Sequence, residues 1–267
     1  MTPRRPRIVA AVLGTVVAAI LLAIAFQSTR WVGSTFPGFF VMANRVVPSI
    51  ALGDWSGGNP WRLFQHQILA VDGIPVESAD AVYRRVEGTT PGTPVAYTAR
   101  GPEGRVTTIS VPARVFTLGD YTQIFGAYFF NGFIFAVAGL LVFVLMPGDP
   151  AGRAFLCFGL LVGIFVITAG DLYGPARFFG LHVFAESLMG AAFVHLALVF
   201  PRDWIRRRRA VALAAVYAPA LVLAAVYEAV RWTPSAYTED GPPERITAAG
   251  SFASISATGM VDGTISL

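Results

Sequence analysis

Residues 122–146 read TQIFGAYFFNGFIFAVAGLLVFVLM, a stretch that contains no charged side chain. A helix needs about 20 apolar residues to cross the hydrocarbon core of a bilayer, so this stretch predicts a transmembrane span. Other parts of the 267-residue chain have a similar composition. The five predicted spans cover residues 8–27, 122–146, 154–173, 181–200 and 210–230.

The composition of the whole chain agrees with a membrane protein. Only 13% of the residues are charged and 55% are hydrophobic, whereas an average soluble domain has about 25% charged residues. This excludes an intrinsically disordered chain and argues against an ordinary soluble enzyme. The single cysteine, Cys157, excludes an intramolecular disulfide and a cysteine-based metal cluster.

The segment between the first two spans has a different character. Residues 28–121 contain turn signals and short alternating runs, and their eight arginines face seven acidic residues. We therefore predict a mixed fold, a five-helix transmembrane α-bundle with a small extracytoplasmic β-rich α/β domain inserted after the first span. The predicted regions are 1–27 (cytoplasmic N-terminus and first span), 28–121 (inserted domain), 122–230 (four-helix bundle) and 231–267 (poorly ordered extracytoplasmic tail).

The distribution of arginine predicts the orientation. Short cytoplasmic loops carry an excess of basic residues, which places the N-terminus inside and residues 28–121 outside. The predicted topology anchors are Arg4, Arg5, Arg7, Arg206, Arg207, Arg208 and Arg209. Because these arginines lie beside spans, the net charge of +4 does not indicate a nucleic-acid partner. Trp31, Trp204 and Trp232 each follow a span and are expected to lie at the membrane interface.

The first span leaves one alternative open. Ala23-Ile24-Ala25 offers a small-x-small cleavage site, so the segment could be a secretory signal peptide. Its apolar region is longer than the 7–15 residues of a signal peptide, which favours a retained membrane anchor. The inserted domain is outside in either case.

The inserted domain shows a clear order of local signals. Residues 68–71 form an apolar run that ends in the turn signal Asp72-Gly73, and Ser78 is placed to cap a helix that continues to about Glu87. Val82 and Val86 are four residues apart and share one face of that helix. Residues 95–100 and 106–111 read as a β-hairpin.

This order of elements resembles a PDZ domain, and the likeness covers about residues 38–114. The stretch 67–76, QILAVDGIPV, looks like the PDZ strand that leads into a V-[ND]-G-x-x-V turn. In PDZ domains a glycine-containing loop binds a peptide C-terminus, and the peptide adds as a strand beside a helix. The resemblance implies a peptide-binding site formed by Gly38, Phe39, Phe40, Val41, Val82 and Val86. The alternative is a degenerate PDZ fold that binds no free peptide.

The arrangement of a PDZ-like domain between one span and a multi-span region also resembles the N-terminal sensory half of bacterial membrane histidine kinases. The phrase HLALVFPR at 195–202, which closes a span and opens a basic loop, looks like those sequences. The resemblance implies a multi-pass protein of the bacterial cytoplasmic membrane. The phospho-accepting helix and ATP-binding domain of such kinases are missing from this chain, so we expect the input half of a truncated sensor.

Four ionisable residues are expected near the outer ends of the spans, where such groups are costly. His182 and Glu186 share a helix face, and Asp171 and Glu228 are placed at a similar depth. These four residues are predicted to form an intramembrane polar cluster that responds to protons or binds a cation. The alternative is a set of separately satisfied side chains at a wet interface.

The leading hypothesis is a membrane sensory module in which the PDZ-like domain binds an envelope peptide or the C-terminus of a partner protein. The alternative is a stand-alone docking or secretion accessory protein. No catalytic motif is present, which argues against an intramembrane protease, and we expect neither an enzyme nor a cofactor nor a resident metal. The expected partners are the lipid bilayer, a peptide or protein tail, and a second copy of the chain in a homodimer.

Overall fold

The computed structural model describes residues 4–174 and 176–231. The described residues form six α-helices: α1 (Arg4–Ser28), α2 (Ala79–Val86), α3 (Leu118–Leu145), α4 (Pro150–Ala169), α5 (Phe179–Val199) and α6 (Arg209–Arg231). They also form six strands: β1 (Thr35–Phe36), β2 (Gln67–Val71), β3 (Ile74–Pro75), β4 (Pro94–Arg100), β5 (Val106–Pro112) and β6 (Arg114–Val115). The predicted poorly ordered tail and Trp232 lie outside the described residues.

Five of the helices, α1 and α3 to α6, are long and apolar enough to span a membrane. The prediction of five apolar spans is therefore confirmed as far as length and composition go. Helix α4 begins at Pro150, four residues before the predicted start, because the Asp149 side chain accepts a 2.7 Å hydrogen bond from the Ala151 N–H and Pro150 occupies the first turn.

The chain divides into two compact units. The helical unit consists of residues 1–29, 122–172 and 176–230, and the β-rich unit contains residues 30–121.

Within the helical unit, glycines let two helices approach closely. A Cβ atom added to Gly159 of α4 would lie 2.6 Å from the Phe135 carbonyl oxygen of α3, and one added to Gly163 would lie 2.8 Å from the Gly132 carbonyl oxygen. Backbone therefore touches backbone along α3 and α4. Small residues allow such contacts in lipid, where van der Waals packing replaces the hydrophobic effect between helices.

The β-rich unit contains two small antiparallel sheets. The larger has the strand order β3-β2-β4-β5, and its β4–β5 hairpin pairs Pro94 with Pro112 at one end and Arg100 with Val106 at the other. The smaller joins β1 to β6, so the beginning and the end of the unit's chain lie side by side. Residues 37–66 contain two short 3-10 turns and one isolated bridge, between Val46 and Gln67.

Two hydrophobic clusters form the interior of this unit. One packs α2 against the larger sheet through side chains that include Ile68, Val82, Val86 and Tyr97. The other, which we call the aromatic cluster, consists of Trp31, Phe36, Phe40, Trp55 and Phe116. Its ring centroids lie 5.0 Å apart for Phe36 and Trp55 and 5.1 Å apart for Phe40 and Trp55. Four of the ring pairs meet edge to face, as aromatic side chains prefer, and the others are tilted.

Buried Asp120 closes this unit at the start of α3. Its carboxylate accepts a 2.7 Å hydrogen bond from the Thr117 N–H and one of 3.2 Å from the Trp55 indole N–H, while its own N–H donates to the Thr117 hydroxyl. This reciprocal pattern is a capping box, with an aspartate in place of the usual glutamate. It explains why α3 begins at Leu118, before the apolar stretch that the sequence analysis identified.

Candidate functional site

Helix α2 has two faces with different surroundings, and they decide where a ligand could bind. The Ser78 hydroxyl accepts a 3.2 Å hydrogen bond from the Ala81 N–H and so begins the helix. Val82 and Val86 point into the interior and are 0% exposed. Asp80, Tyr83, Arg84 and Glu87 follow the i, i+3, i+4, i+7 spacing of the opposite stripe.

The predicted peptide-binding residues are not at a surface. Gly38 has a positive φ of 81°, and Phe39, Phe40 and Val41 are at most 1% exposed. Together with Val82 and Val86 they fill the interior. A unit of this size must bury its few apolar runs to be stable, which leaves none of these five side chains free to line an open groove.

The backbone polar groups of Val41, beside the Gly38 loop, are already hydrogen-bonded to a side chain. The Tyr83 hydroxyl lies 2.7 Å from the Val41 nitrogen and 3.2 Å from the Val41 carbonyl oxygen, so it accepts from one and donates to the other. A peptide that added as a strand at Val41 would need both groups. Burial raises the pKa of the Tyr83 hydroxyl far above its ordinary value, and its hydrogen bond with Val41 opposes this shift only in part.

An open cleft lies on the other face of α2. Its volume is about 260 Å³, and it is lined by Arg30, Trp31, Ser34, Thr35, Asp80, Tyr83, Arg84 and Glu87. The Trp31 ring packs edge to face on the Tyr83 ring at a centroid distance of 4.6 Å, and the Arg30 guanidinium lies 5.6 Å from the Trp31 ring centroid. We call this the α2 cleft. It combines an aromatic wall with two arginines and two carboxylates.

The sequence analysis missed the α2 cleft for an identifiable reason. It treated Trp31 as a membrane-interface anchor, whereas the structure buries Trp31 to 6% exposure against Tyr83 and Phe40. The stripe of Asp80, Tyr83, Arg84 and Glu87 was visible in the sequence as helical spacing. That signal could have indicated a polar binding face on α2.

A second cleft of about 350 Å³ lies near Arg114 and is less suited to a charged ligand. It is lined by Asp54, Gly57, Pro91, Gly92, Pro112, Ala113, Arg114 and Val115. The Arg114 guanidinium already forms a 2.7 Å ion pair with Asp54 and lies 3.7 Å from Asp120. Its charge is therefore compensated within the protein.

In the helical unit, two of the predicted polar residues, Asp171 and His182, have hydrogen-bond partners outside the predicted set. Asp171 is 2% exposed and accepts from the Gln27 amide at 2.5 Å and from the Phe178 N–H at 2.6 Å. His182 lies 2.9 Å from the Thr168 hydroxyl and stacks on Phe165. Glu186 and Glu228 are partly buried. In residues 4–174 and 176–231, no group of three or more His, Cys, Asp or Glu side chains could hold a metal ion.

The predicted topology anchors lie at helix ends. Arg4, Arg5 and Arg7 belong to the first turns of α1, and Arg7 is exposed. Arg206, Arg207 and Arg208 are exposed in the connection between α5 and α6, whereas Arg209 begins α6 and forms an ion pair with Asp203. Trp204 in the same connection is 71% exposed, in contrast to Trp31.

Comparison with known proteins adds no family to this description. No family model, no curated protein and no solved structure matches the chain.

Proposed function

We propose that this protein is a membrane-anchored interaction module with a sensory role, in which a PDZ-like extracytoplasmic unit takes a peptide or protein segment in the α2 cleft. The order of strand, Asp-Gly turn, helix and hairpin supports the PDZ-like assignment of residues 30–121. Five apolar helices support the membrane anchor. The arginine distribution supports a cytoplasmic N-terminus and an extracytoplasmic β-rich unit.

The observation that carries the binding proposal is the α2 cleft itself. It lies beside the helix that borders the ligand in PDZ-like domains, but on the stripe of Asp80, Tyr83, Arg84 and Glu87 rather than on that of Val82 and Val86. Binding there would leave the interior of the unit intact, whereas binding at the predicted groove would have to displace buried side chains.

The lining of the α2 cleft indicates the chemistry of the ligand. Arg30 and Arg84 suit a carboxylate, because guanidinium groups bind carboxylates through paired hydrogen bonds. Asp80 and Glu87 on the same cleft suit a basic side chain of the same segment. Trp31, which is 6% exposed, and Tyr83 also line the cleft and contribute a small apolar ring surface. A short peptide with a free or side-chain carboxylate and a nearby basic residue matches all three features.

A peptide array tests this proposal. The probe is a set of random decapeptides with free C-terminal carboxylates, printed beside the same peptides as C-terminal amides, and the analyte is the full chain in nanodiscs. We expect the double variant Arg30→Glu/Arg84→Glu to lose the peptides that wild type binds. Arg85→Glu/Arg100→Glu removes the same charge from exposed positions outside the cleft and should retain them.

Two results would contradict the proposal. One is an array on which wild type binds no peptide above the level of empty nanodiscs. The second contradicting result is peptide binding that persists in Arg30→Glu/Arg84→Glu but is lost in Val82→Ala. That outcome would indicate that the peptide binds at the predicted groove beside Val82 and not in the α2 cleft.

A further inference from the structure

The connection between α5 and α6 lies where a lipid surface must be. It covers residues 200–208 and is flanked by two apolar segments of 21 residues, Phe179–Val199 and Arg209–Ala229. At 1.5 Å per residue each segment is about 30 Å long, which matches the hydrocarbon thickness of a bilayer. When both helices span the membrane, their connection lies at the level of the headgroups.

This connection has a large excess of positive charge over the single acidic residue that it contains. Together with Arg209, the first residue of α6, the connection contains five arginines and one aspartate, which gives a net charge of 5 − 1 = +4. The aspartate, Asp203, is engaged by Arg209 at the start of α6. The remaining four arginines are exposed: Arg202, Arg206, Arg207 and Arg208.

Two large aromatic side chains stand beside these arginines. Trp204 is 71% exposed and Phe200 is 63% exposed. Backbone hydrogen bonds of 3.0 Å from the Trp204 N–H to the Leu198 carbonyl, and from the Arg208 N–H to the Ile205 carbonyl, hold the connection in compact turns. An exposed indole at this position suits the interface between headgroups and acyl chains.

We propose that this surface, which we call the arginine patch (Arg202, Trp204, Arg206, Arg207 and Arg208), binds the headgroups of anionic phospholipids. The guanidinium groups would contact the lipid phosphates, and Trp204 would insert beside the glycerol backbone. Each basic side chain next to a membrane span strengthens the attraction of its segment to an anionic lipid surface by about 1 kcal/mol, or about fivefold in affinity. An acidic soluble protein would match the charge but would leave Trp204 and Phe200 without an apolar environment.

Fluorescence quenching by brominated lipids tests this site on the full chain. Wild type and Trp204→Phe are reconstituted into nanodiscs of phosphatidylcholine that contain either brominated phosphatidylglycerol or brominated phosphatidylcholine at equal mole fraction. The difference between the two proteins isolates the signal of Trp204. We expect phosphatidylglycerol to quench Trp204 several-fold more effectively than phosphatidylcholine, and 0.5 M salt to reduce this preference.

Substitutions of the arginines test whether they cause the preference for phosphatidylglycerol. Arg206→Gln/Arg207→Gln/Arg208→Gln should lose the preference, whereas the triple replacement of the same residues by Lys should keep most of it. Arg62→Gln/Arg85→Gln/Arg100→Gln removes an equal charge from exposed positions of the β-rich unit and should keep it fully. If the glutamine variant fails to insert, the salt dependence of wild type still decides the question.

The inference is overturned if the two brominated lipids quench Trp204 of wild type equally. In that case the patch has no lipid preference, and an acidic protein becomes the better occupant. The inference is also overturned if the triple glutamine variant inserts and keeps the stronger quenching by phosphatidylglycerol, or if 0.5 M salt leaves this preference of wild type unchanged.

Discussion

The β-rich unit packs its interior with the largest side chains of the chain, whereas helices α3 and α4 meet through the smallest. In the aromatic cluster, Trp55 is 0% exposed and touches the rings of Phe36 and Phe40. Between α3 and α4, Gly132 and Gly139 face Gly163 and Gly159 at backbone contact distance. Water favours the burial of large apolar surface, while in lipid that force is absent and close backbone approach provides the attraction. The two units therefore should tolerate opposite substitutions.

The largest effect is expected where a ring is removed from the aromatic cluster. Trp55→Ala should lower the stability of the β-rich unit by about 3–5 kcal/mol, because the cavity cannot be refilled and Asp120 loses the indole N–H. The exposed Trp204→Ala is the matched control and should change stability by less than about 0.5 kcal/mol. Temperature-dependent proteolysis of the full chain, with mapping of cleavage within residues 30–121, measures both. Equal resistance of the two variants would remove the aromatic cluster as the source of stability.

In the helical unit, adding a single methyl group is expected to be harmful. Gly159→Ala places a Cβ atom 2.6 Å from the Phe135 carbonyl oxygen, so α3 and α4 must separate. We expect a loss of up to about 3 kcal/mol, seen by far-UV circular dichroism as earlier thermal unfolding in detergent. Gly190 of α5 has no atom within 4 Å of an added Cβ, and Gly190→Ala should be neutral or stabilising. Equal unfolding temperatures for Gly159→Ala and Gly190→Ala would contradict the close packing of α3 on α4 as a source of stability.

A buried aspartate in each unit, Asp120 in the β-rich unit and Asp171 in the helical unit, allows the two units to be compared by the same substitution. Asp120→Ala removes the cap of α3 and the acceptor for Trp55, which should cost about 2 kcal/mol. Asp171→Ala removes the acceptor for Gln27 and for the Phe178 N–H, but polar contacts within membranes are worth only about 0.6 kcal/mol on average. Proteolysis within residues 30–121 reports the first effect and thermal unfolding of the helices reports the second. A larger loss of stability for Asp171→Ala than for Asp120→Ala would contradict this expectation.

The smallest effects are expected for two tyrosines of the β-rich unit. Tyr83→Phe loses both hydrogen bonds to Val41 and should cost about 1 kcal/mol. The buried Tyr97 hydroxyl has no hydrogen-bond partner in the described residues, so Tyr97→Phe should be neutral or stabilising. Denaturant unfolding of the full chain, followed by proteolysis within residues 30–121, distinguishes the two. If both changes cost the same, the Tyr83–Val41 contact contributes nothing specific.

The same tyrosines predict a loss of stability at alkaline pH. Burial raises the pKa of Tyr83 and of Tyr97 far above the ordinary value of about 10. The unfolded chain releases these protons above that pH while the folded unit holds them, so their contribution is complete below pH ~10 and is lost as the pH rises further. Tyr97→Phe should flatten this decline, which denaturant unfolding across the alkaline range measures. If the stability of Tyr97→Phe declined with pH as steeply as that of wild type, groups other than Tyr97 would cause the decline.

The helices and strands of this protein could be predicted from its sequence better than the contacts between them. Long apolar stretches determine spans by composition alone, and the Ser78 cap, the Asp72-Gly73 turn and the final hairpin are local signals. The starts of α3 and α4 were displaced because caps at Thr117–Asp120 and Asp149 lie outside the apolar stretches. Capping extends a helix beyond its hydrophobic part.

The candidate site was predicted less well because it depends on contacts between distant residues. The apolar run of Phe39 to Val41 was assigned to a groove, but a small unit needs such side chains in its interior. Nothing local in the sequence places Trp31 against Tyr83, 52 positions later, or Asp171 against Gln27. The stripe on α2 was readable, but which of its two faces would remain open was decided by the rest of the fold.

The pairing of β1 with β6 also bears on how this architecture can change. The Gly33 N–H donates to the Phe116 carbonyl and the Phe116 N–H to the Ser34 carbonyl, both at 2.9 Å, so the chain enters and leaves the β-rich unit at one point. A segment whose two ends are adjacent can be excised or exchanged with little effect on the polypeptide around it. The β-rich unit thus has the geometry of an inserted domain, because its two ends lie close enough for a short linker to join them.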